Sequence, residues 1–176
     1  MKFGGTSVAN IERIKKVTNI IKREKKDFKI LVVLSAMAGI TDGLEKLINK
    51  TKSDNSLETD LIITSGEQVT ISLLSILLNK KNISAHPLLG WQIPIITDSS
   101  YGKARIINIL DKNIISYFKK YEVLVVAGFQ GIDRNGNITS LGRGGSDTTA
   151  VAIASAIKAE RCDIYTDVKG IYTTDP

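Results

Sequence analysis

The stretch KILVVL (29–34) decides the fold, because its five apolar residues follow one another without alternation. Such a run is typical of a strand that is buried on both faces, as in a parallel sheet covered by helices. A second run, EVLVVA (122–127), repeats the pattern, and residues 163–166 form a shorter third one. The sequence therefore predicts three buried strands of a parallel sheet.

Helical segments separate these strands. Ile11, Ile14, Val17 and Ile21 recur at helical spacing, and Asn10 is placed to cap the helix. Asp60 is a possible cap for a long helix over 61–78. Further helices are predicted over residues 44–48, 109–120 and 147–159, a loop over 53–59, short strands and turns over 88–97, and a hairpin turn over 133–137. Strands that alternate with helices predict an α/β fold with a mainly parallel sheet.

The composition is that of an ordinary globular domain and excludes several classes of protein. Of 176 residues, 43% are hydrophobic and 24% are charged, which argues against disorder and coiled coil. No apolar run approaches the roughly 20 residues that span a bilayer, and no signal peptide is evident. The lone Cys162 cannot form an internal disulfide, is typical of a reducing compartment, and is expected in the core.

The net charge of +6 does not by itself indicate nucleic-acid binding. Much of the excess lies in lysines and arginines of the first 29 residues, where Phe3 and Phe28 are the only aromatic residues, too few to form a series of stacking platforms. We interpret these lysines as a solvated helix face. No membrane or nucleic-acid partner is predicted.

Glycine-rich turns follow the predicted strands, where open parallel sheets bind ligands. In KFGGTS (2–7), Gly4 and Gly5 would let backbone N–H groups approach an anion, and Lys2 would add a mobile cation. A plain turn without a ligand is the alternative for this segment.

The turn LGRGGSD (141–147) is the stronger signal, because three glycines flank an arginine just before a helix. Arginine suits the bidentate recognition of a carboxylate or phosphate. Helix capping by Ser146 or Asp147 is the alternative, but it does not explain the glycines around Arg143. We therefore favour a ligand site here.

Three single residues remain open to two interpretations. Gly66 lies in a helical pattern at a cost of about 1 kcal/mol relative to alanine, so it could serve the close approach of a ligand. Glu67 could then hold an ammonium group, or it could be a surface glutamate. Asp167 could order magnesium-bound water or a nucleotide group, or it could start a turn.

Taken together, these motifs resemble those of the aspartate kinases, in the amino-acid kinase family. The resemblance is carried by KFGGTSV (2–8), SAMAGITD (35–42), SGEQVT (65–70), VAGFQG (126–131), LGRGGSDTTAVA (141–152) and CDIYTDVKGIYTTDP (162–176). It implies a three-layer α/β/α sandwich that uses ATP and Mg²⁺ to phosphorylate the side-chain carboxylate of L-aspartate, giving 4-phospho-L-aspartate. It also implies a cytoplasmic enzyme at the first step toward lysine, threonine and methionine.

The resemblance further implies roles for individual residues. Lys2 and Asp147 would act at the transferred phosphoryl group, and the phosphate-binding residues would be Gly4, Gly5, Thr6 and Ser7. The aspartate pocket would consist of Ser35, Thr41, Glu67, Arg143, Gly144, Gly145 and Ser146, with Glu67 facing the ammonium group and Arg143 a carboxylate. The nucleotide site would include Thr166, Asp167, Tyr172, Thr173, Thr174, Asp175 and Pro176. No residue is assigned as a protein ligand to a metal.

The chain departs from the family pattern at both ends. Relatives carry an apolar strand before the lysine, and they continue past TTDP (173–176) into the rest of the kinase domain and regulatory ACT domains. We expect residues 1–176 to form a partial kinase domain, the substrate lobe with the start of the nucleotide lobe. Either it is a working kinase, as a homo-oligomer or completed by another chain, or it is a poorly soluble, non-catalytic fragment without a complete ATP site.

Overall fold

The computed structural model describes residues 1–166. Its strands are β1 (Lys2–Phe3), β2 (Ile30–Leu34), β3 (Ala85–Leu88), β4 (Ile95–Thr97), β5 (Ile106–Ile109), β6 (Val123–Ala127), β7 (Gln130–Ile132), β8 (Ile138–Ser140) and β9 (Ile164–Tyr165). Its helices are α1 (Ile11–Glu24), α2 (Ile40–Lys50), α3 (Leu57–Ile63), α4 (Ser65–Asn79), α5 (Asp111–Phe118) and α6 (Gly145–Ala156). A short 3₁₀ turn, Gly5–Val8, precedes α1, which Asn10 caps by accepting from the Arg13 N–H.

The main sheet is wholly parallel, as the apolar runs predict. Its strand order is β3–β6–β2–β1–β9, and β2 pairs with β6 over five residues. Successive residues of β2 point to opposite sides, so that Val32 faces α1 and α4 while Val33 faces α5 and α6. Because helices cover both faces of the sheet, the predicted three-layer α/β/α sandwich is confirmed.

A second, four-stranded sheet was not foreseen from the sequence. Its order is β5–β4–β7–β8, with antiparallel pairs at both ends and a parallel pair between β4 and β7. The hairpin turn predicted over 133–137 is confirmed, since it joins β7 to β8. Ile93, Ile95 and Ile109 carry the core from the main sheet into this second sheet.

The predicted helix over 61–78 is wrong in its start and its continuity. Ser56 caps α3 in a capping box with Thr59, so the helix begins within the predicted loop, and Thr64 interrupts it before α4. Asp60 is not a cap, because it lies inside α3 with its carboxylate buried.

Taken as one stretch, Leu57–Asn79 is long and apolar enough to cross a membrane by length and composition, a test that core helices also pass. Three buried residues of α4 pack into the core between the main sheet and α1: Ile71, Leu74 and Leu78.

Two predictions about the end of the described chain are wrong. The third strand is not buried, since Ile164 is 45% exposed; β9 is the edge strand among the described residues and pairs with β1. Cys162 was expected in the core, but it lies just before this edge strand and is exposed. It borders a separate cavity of about 390 Å³ beside the start of β1.

The parallel order brings several strand ends to one edge of the sheet. β1, β2 and β6 run side by side, so the residues after them, Gly4, Ser35 and Gly128, leave the sheet together. Hydrogen bonds join these exits: the Ser35 N–H donates to Phe3 O at 3.3 Å, and the Gly128 N–H donates to Leu34 O at 2.9 Å.

Candidate active site

A cavity of about 590 Å³ opens at this edge of the sheet, and it brings together most of the predicted site residues. The predicted residues that line it are Lys2, Gly4, Gly5, Ser35, Thr41, Glu67, Arg143, Gly144, Gly145, Ser146 and Asp147. Thr6 and Ser7 do not line it, since they lie in the 3₁₀ turn behind the glycines. Thr166 follows β9 and does not line it either.

The remaining predicted nucleotide residues lie outside the described residues. They are Asp167, Tyr172, Thr173, Thr174, Asp175 and Pro176.

The first glycine turn is built for close backbone approach. A Cβ atom on Gly5 would lie 2.8 Å from the carbonyl oxygen of Ala36, so only glycine fits against the loop that follows β2. The Ala38 N–H donates to Gly5 O at 3.3 Å and ties the two loops together. The cavity floor is therefore a pair of adjoining loops at the ends of β1 and β2.

Lys2 and Asp147 meet at the start of β1 and α6. Lys2 Nζ lies 2.7 Å from Asp147 Oδ1, and Lys2 is only 9% exposed. Asp147 Oδ1 is itself buried and has no hydrogen-bond partner among the described residues. The two side chains are therefore close enough for an ion pair, but their geometry is not that of a hydrogen bond. The pair leaves a buried ammonium group at the wall of the cavity, next to Gly4.

Glu67 is a buried acid rather than a surface residue, being 3% exposed. Its Oε1 accepts from the Ala36 N–H at 3.0 Å, whereas Oε2 has no hydrogen-bond partner among the described residues. Burial raises the pKa of Glu67 to about 7, although the Ala36 N–H favours the ionised form. A buried oxygen without a partner calls for a ligand donor, since such groups are otherwise costly.

Gly66 serves protein packing and not the approach of a ligand, contrary to the sequence-based interpretation. A Cβ atom there would lie 2.8 Å from Ala36 Cβ and 3.1 Å from Ile40 Cγ2. The missing side chain lets α4 approach the loop after β2. This close approach is what brings Glu67 to the Ala36 N–H.

The second glycine turn needs its glycines for their backbone angles. Gly142 and Gly144 have φ of 77° and 75°, in the left-handed region that favours glycine. Gly144 is also the N-cap residue of α6, and the helix start has no side-chain cap hydrogen bond. Capping by Ser146 or Asp147 therefore does not account for the glycines of this turn. The turn leaves Arg143 exposed at the cavity mouth.

Several residues of the cavity wall were missed by the sequence analysis. Phe129 stands in the quoted motif VAGFQG, but no role was given to it; it has φ of 69° and donates its N–H to Thr149 Oγ1 at 3.1 Å. Asp42 and Gly142 also stand in motifs quoted above, SAMAGITD (35–42) and LGRGGSD (141–147), without a role of their own. The other lining residues stand in none of the quoted motifs, and distant segments bring them to the cavity: Glu45, Ile48, Asn49, Ser53, Asn55, Thr59, Asp60, Ile63, Gly102 and Ser140.

The charges of the cavity suit a ligand that carries both signs. Among the described residues, Lys2 and Arg143 are the basic residues that line it, and the acidic ones are Asp42, Glu45, Asp60, Glu67 and Asp147. Within residues 1–166, no cluster of three His, Cys, Asp or Glu side chains could hold a metal ion by itself. A zwitterion with an additional carboxylate could meet Glu67 and Arg143 at once.

The molecule is an α/β sandwich, and its glycine turns and buried lysine lie at the carboxyl ends of the strands. These features are typical of proteins that bind anionic ligands at this edge of the sheet. Comparison narrows the class: the model of the amino acid kinase family matches residues 1–176. The chain therefore belongs to the amino acid kinase family.

Relatives that are similar to this chain include aspartokinases. The chain is 50% identical to the aspartokinase of Rickettsia conorii over 180 residues, which cover 99% of this chain and 45% of that protein. It is 52% identical to the aspartate kinase of Pseudomonas fluorescens over 180 residues, again 99% of this chain and 43% of the relative. The chain thus spans less than half the length of these relatives.

Solved structures agree with the fold. E. coli aspartokinase III, solved in complex with aspartate and ADP, has a TM-score of 0.86 at 27% identity, over 99% of this chain and 50% of that one. Aspartate kinase from Synechocystis has a TM-score of 0.82 at 44% identity, over 99% of this chain and 29% of the other.

Proposed function

We propose that this chain carries the amino-acid half of an aspartate kinase, which transfers the γ-phosphoryl group of ATP to the side-chain carboxylate of L-aspartate. The observation that carries the proposal is the buried Oε2 of Glu67, which has no hydrogen-bond partner within residues 1–166; Glu67 lines a cavity that Lys2 and Arg143 also line. An ammonium group is the ligand donor that this oxygen fits best, since it donates hydrogen bonds and offsets the negative charge.

The amino acid would be held at both of its charged ends. Glu67 would accept from the ammonium group, and Arg143 at the cavity mouth would bind a carboxylate. The other proposed pocket residues would line the space between them: Ser35, Thr41, Gly144, Gly145 and Ser146. E. coli aspartokinase III, a similar structure, is described in complex with aspartate and ADP.

Phosphoryl transfer would require no general base in this site. The aspartate side-chain carboxylate, with a reference pKa near 3.9, is ionised at pH 7. One of its oxygens forms a bond to the γ-phosphorus while the bond from phosphorus to the β,γ-bridging oxygen breaks, giving 4-phospho-L-aspartate and ADP. The chain's task is to bring two anions together, and Lys2 with the N–H groups at Gly4 and Gly5 would offset the charge.

Asp147 would keep the lysine in place until the nucleotide arrives, since the two side chains are already paired at 2.7 Å. Mg²⁺ is commonly held by one or two carboxylates together with substrate phosphates. Asp147 is the carboxylate of the cavity that stands beside Lys2, so it is the residue we propose to face a nucleotide-bound ion. Thr6 and Ser7 would support the glycine turn from behind.

The nucleotide half would begin where the described residues end. We propose that Thr166 and the predicted residues between Asp167 and Pro176 start it. The product would enter the synthesis of lysine, threonine and methionine in the cytoplasm, as the resemblance implies. The chain would act as a homo-oligomer or together with another chain.

The proposal is tested by calorimetric titration of L-aspartate into the wild-type chain and the Arg143→Ala variant. Loss of a charge-assisted contact worth about 1.5–3 kcal/mol should weaken binding by roughly tenfold or more. Arg134→Ala, at an exposed arginine of the β7–β8 turn, is the matched control and should bind like the wild type. Equal affinities in all three proteins would refute the role of Arg143, and a wild type without aspartate binding would refute the proposed function.

A further inference from the structure

The cavity wall contains a buried carboxylate that the proposed transfer does not use. Asp60, in α3, is 1% exposed. Its oxygens accept from the Gly102 N–H, at 3.0 and 3.1 Å, from the Ser140 N–H at 2.7 Å and from the Ser140 hydroxyl at 2.8 Å. A buried carboxylate is tolerated where hydrogen bonds replace its water, and here both oxygens are satisfied by protein groups.

The groups held by Asp60 lie on two separate parts of the wall. Gly102 belongs to the loop between β4 and β5, and Ser140 ends β8. Ser140 directly precedes the glycine turn, so Arg143 follows it by three residues. Asp60, Gly102 and Ser140 all line the cavity themselves.

Gly102 is fixed from the other sides as well. Its φ is 78°, and a Cβ atom on it would lie 2.6 Å from the Asn55 amide group. Its carbonyl oxygen lies 3.2 Å from the position that a Cβ atom of Gly142 would take. The β4–β5 loop is therefore pressed between the segment before α3 and the first glycine of the turn that carries Arg143.

We infer that Asp60 is a positioning residue for the amino-acid pocket: it joins the β4–β5 loop to the start of the glycine turn and so sets where Arg143 meets a substrate carboxylate. The inference rests on the proposed function, because that function supplies the partner of Arg143. Asp60 touches no reacting atom in this role.

A second aspartate provides the comparison. Asp133 also binds the β4–β5 loop, accepting from the Ser99 hydroxyl at 3.1 Å and the Tyr101 hydroxyl at 3.3 Å, and it is 2% exposed. Yet it is not among the residues that line the cavity. Asp133→Asn therefore perturbs the same loop with a similar buried carboxylate, but away from the turn of Arg143.

The test compares Asp60→Asn with Asp133→Asn in the 176-residue chain. An amide offers one acceptor oxygen, and its NH₂ group would face an N–H donor of Gly102 or Ser140. Hydrogen exchange at the Gly102 and Ser140 amides, measured without ligand, should be faster by about tenfold or more in Asp60→Asn. Aspartate affinity by calorimetry should fall by about tenfold in Asp60→Asn and remain that of the wild type in Asp133→Asn.

The outcomes separate the inference from the proposed function. Faster exchange with unchanged aspartate affinity would make Asp60 merely structural, and unchanged exchange would show that it does not hold the loop; either result overturns the inference. Should Asp60→Asn fail to fold, Ser140→Ala is the milder substitution, because it removes only the hydroxyl that donates one of the four hydrogen bonds to Asp60. Aspartate affinity is expected to fall in Ser140→Ala too. A wild type that binds no aspartate overturns both the proposed function and this inference, while the exchange result still decides whether Asp60 holds the loop.

Discussion

Burial raises the pKa of Glu67 to about 7, so that both the protonated and the ionised form of this acid are populated near neutral pH. A cation placed against Oε2 would favour the ionised form and lower this pKa. An ammonium ligand would therefore displace the proton from the site. The binding of a ligand with an ammonium group would thus be coupled to the release of the Glu67 proton.

We predict that aspartate binding at pH 7 releases a fraction of a proton per site, and that Glu67→Gln abolishes this release. Calorimetry in two buffers of different ionisation enthalpy measures the released fraction directly. At pH 8.5 the release should nearly vanish in the wild type, because Glu67 is then ionised before the ligand arrives. The same buffer dependence in wild type and variant would show that another group titrates.

The sequence could name Glu67 but could not choose its role. Its motif placed it in a helix, with an ammonium partner and a solvated surface as equal alternatives. What excludes the solvated surface is the contact of Gly66 with Ala36, a residue 30 positions earlier in the chain, because it holds Glu67 in a buried position. Such a contact depends on how two elements pack, which local sequence does not encode.

Among the elements, α2 and α4 each contain a glycine, Gly43 and Gly66, but for different physical reasons. In α4, a side chain on Gly66 would meet Ala36 Cβ at 2.8 Å, whereas a side chain on Gly43 in α2 would meet nothing within 4 Å. One glycine is required by packing. The other weakens its helix without a compensating contact.

We predict opposite effects for the two glycine-to-alanine substitutions. Gly43→Ala should raise the free energy of unfolding by about 0.5–1 kcal/mol through helix propensity. Gly66→Ala should lower it, because overpacking costs about 1–3 kcal/mol and exceeds the gain in propensity at this position in the first turn of α4. Urea unfolding of both variants measures the difference. Stabilisation by Gly66→Ala would mean that the loop after β2 yields without cost.

Element prediction succeeded where the sequence signal was long. The apolar runs of β2 and β6 and the periodic pattern of α1 were recognised, and the observed elements lie close to the predicted bounds. The second sheet was missed because its strands have three or four residues, too few to show a period. The start of α3 was missed although Ser56 and Thr59 form a capping box, with threonine where glutamate or glutamine is the usual partner.

At the scale of the whole molecule, Glu67 makes stability depend on pH. The folded state holds the Glu67 proton with a pKa of about 7, against 4.5 for an unburied group. The resulting stabilisation is present below pH 4.5 and is lost as the pH rises to 7, and it amounts to roughly 3 kcal/mol. Asp98 and Glu122 act in the opposite direction, since hydrogen bonds lower their pKa values.

We therefore predict that Glu67→Gln gains stability relative to the wild type as the pH rises from 5 to 8, by an amount approaching roughly 3 kcal/mol. Taking the difference between the two proteins cancels the contribution of the other carboxylates. Urea unfolding at both pH values gives the result, with Glu58→Gln on exposed α3 surface as the control that should lack this trend. A constant difference across the range would show that Glu67 ionises normally when folded.

The two-sided burial of β2 and β6 has a consequence for how the molecule assembles. Where only one face of a strand is apolar, the alternation of polar and apolar residues fixes how neighbouring strands align. Both faces of β2 and β6 are apolar, so a slip of one residue would still bury valine and leucine on each side of the sheet. Correct alignment must then be fixed at the strand ends, where Gly128 donates to Leu34 O and the chain turns toward the cavity. A misaligned chain would keep a hydrophobic interior and lose the ligand site, so the loops that build the site also select the native pairing during folding.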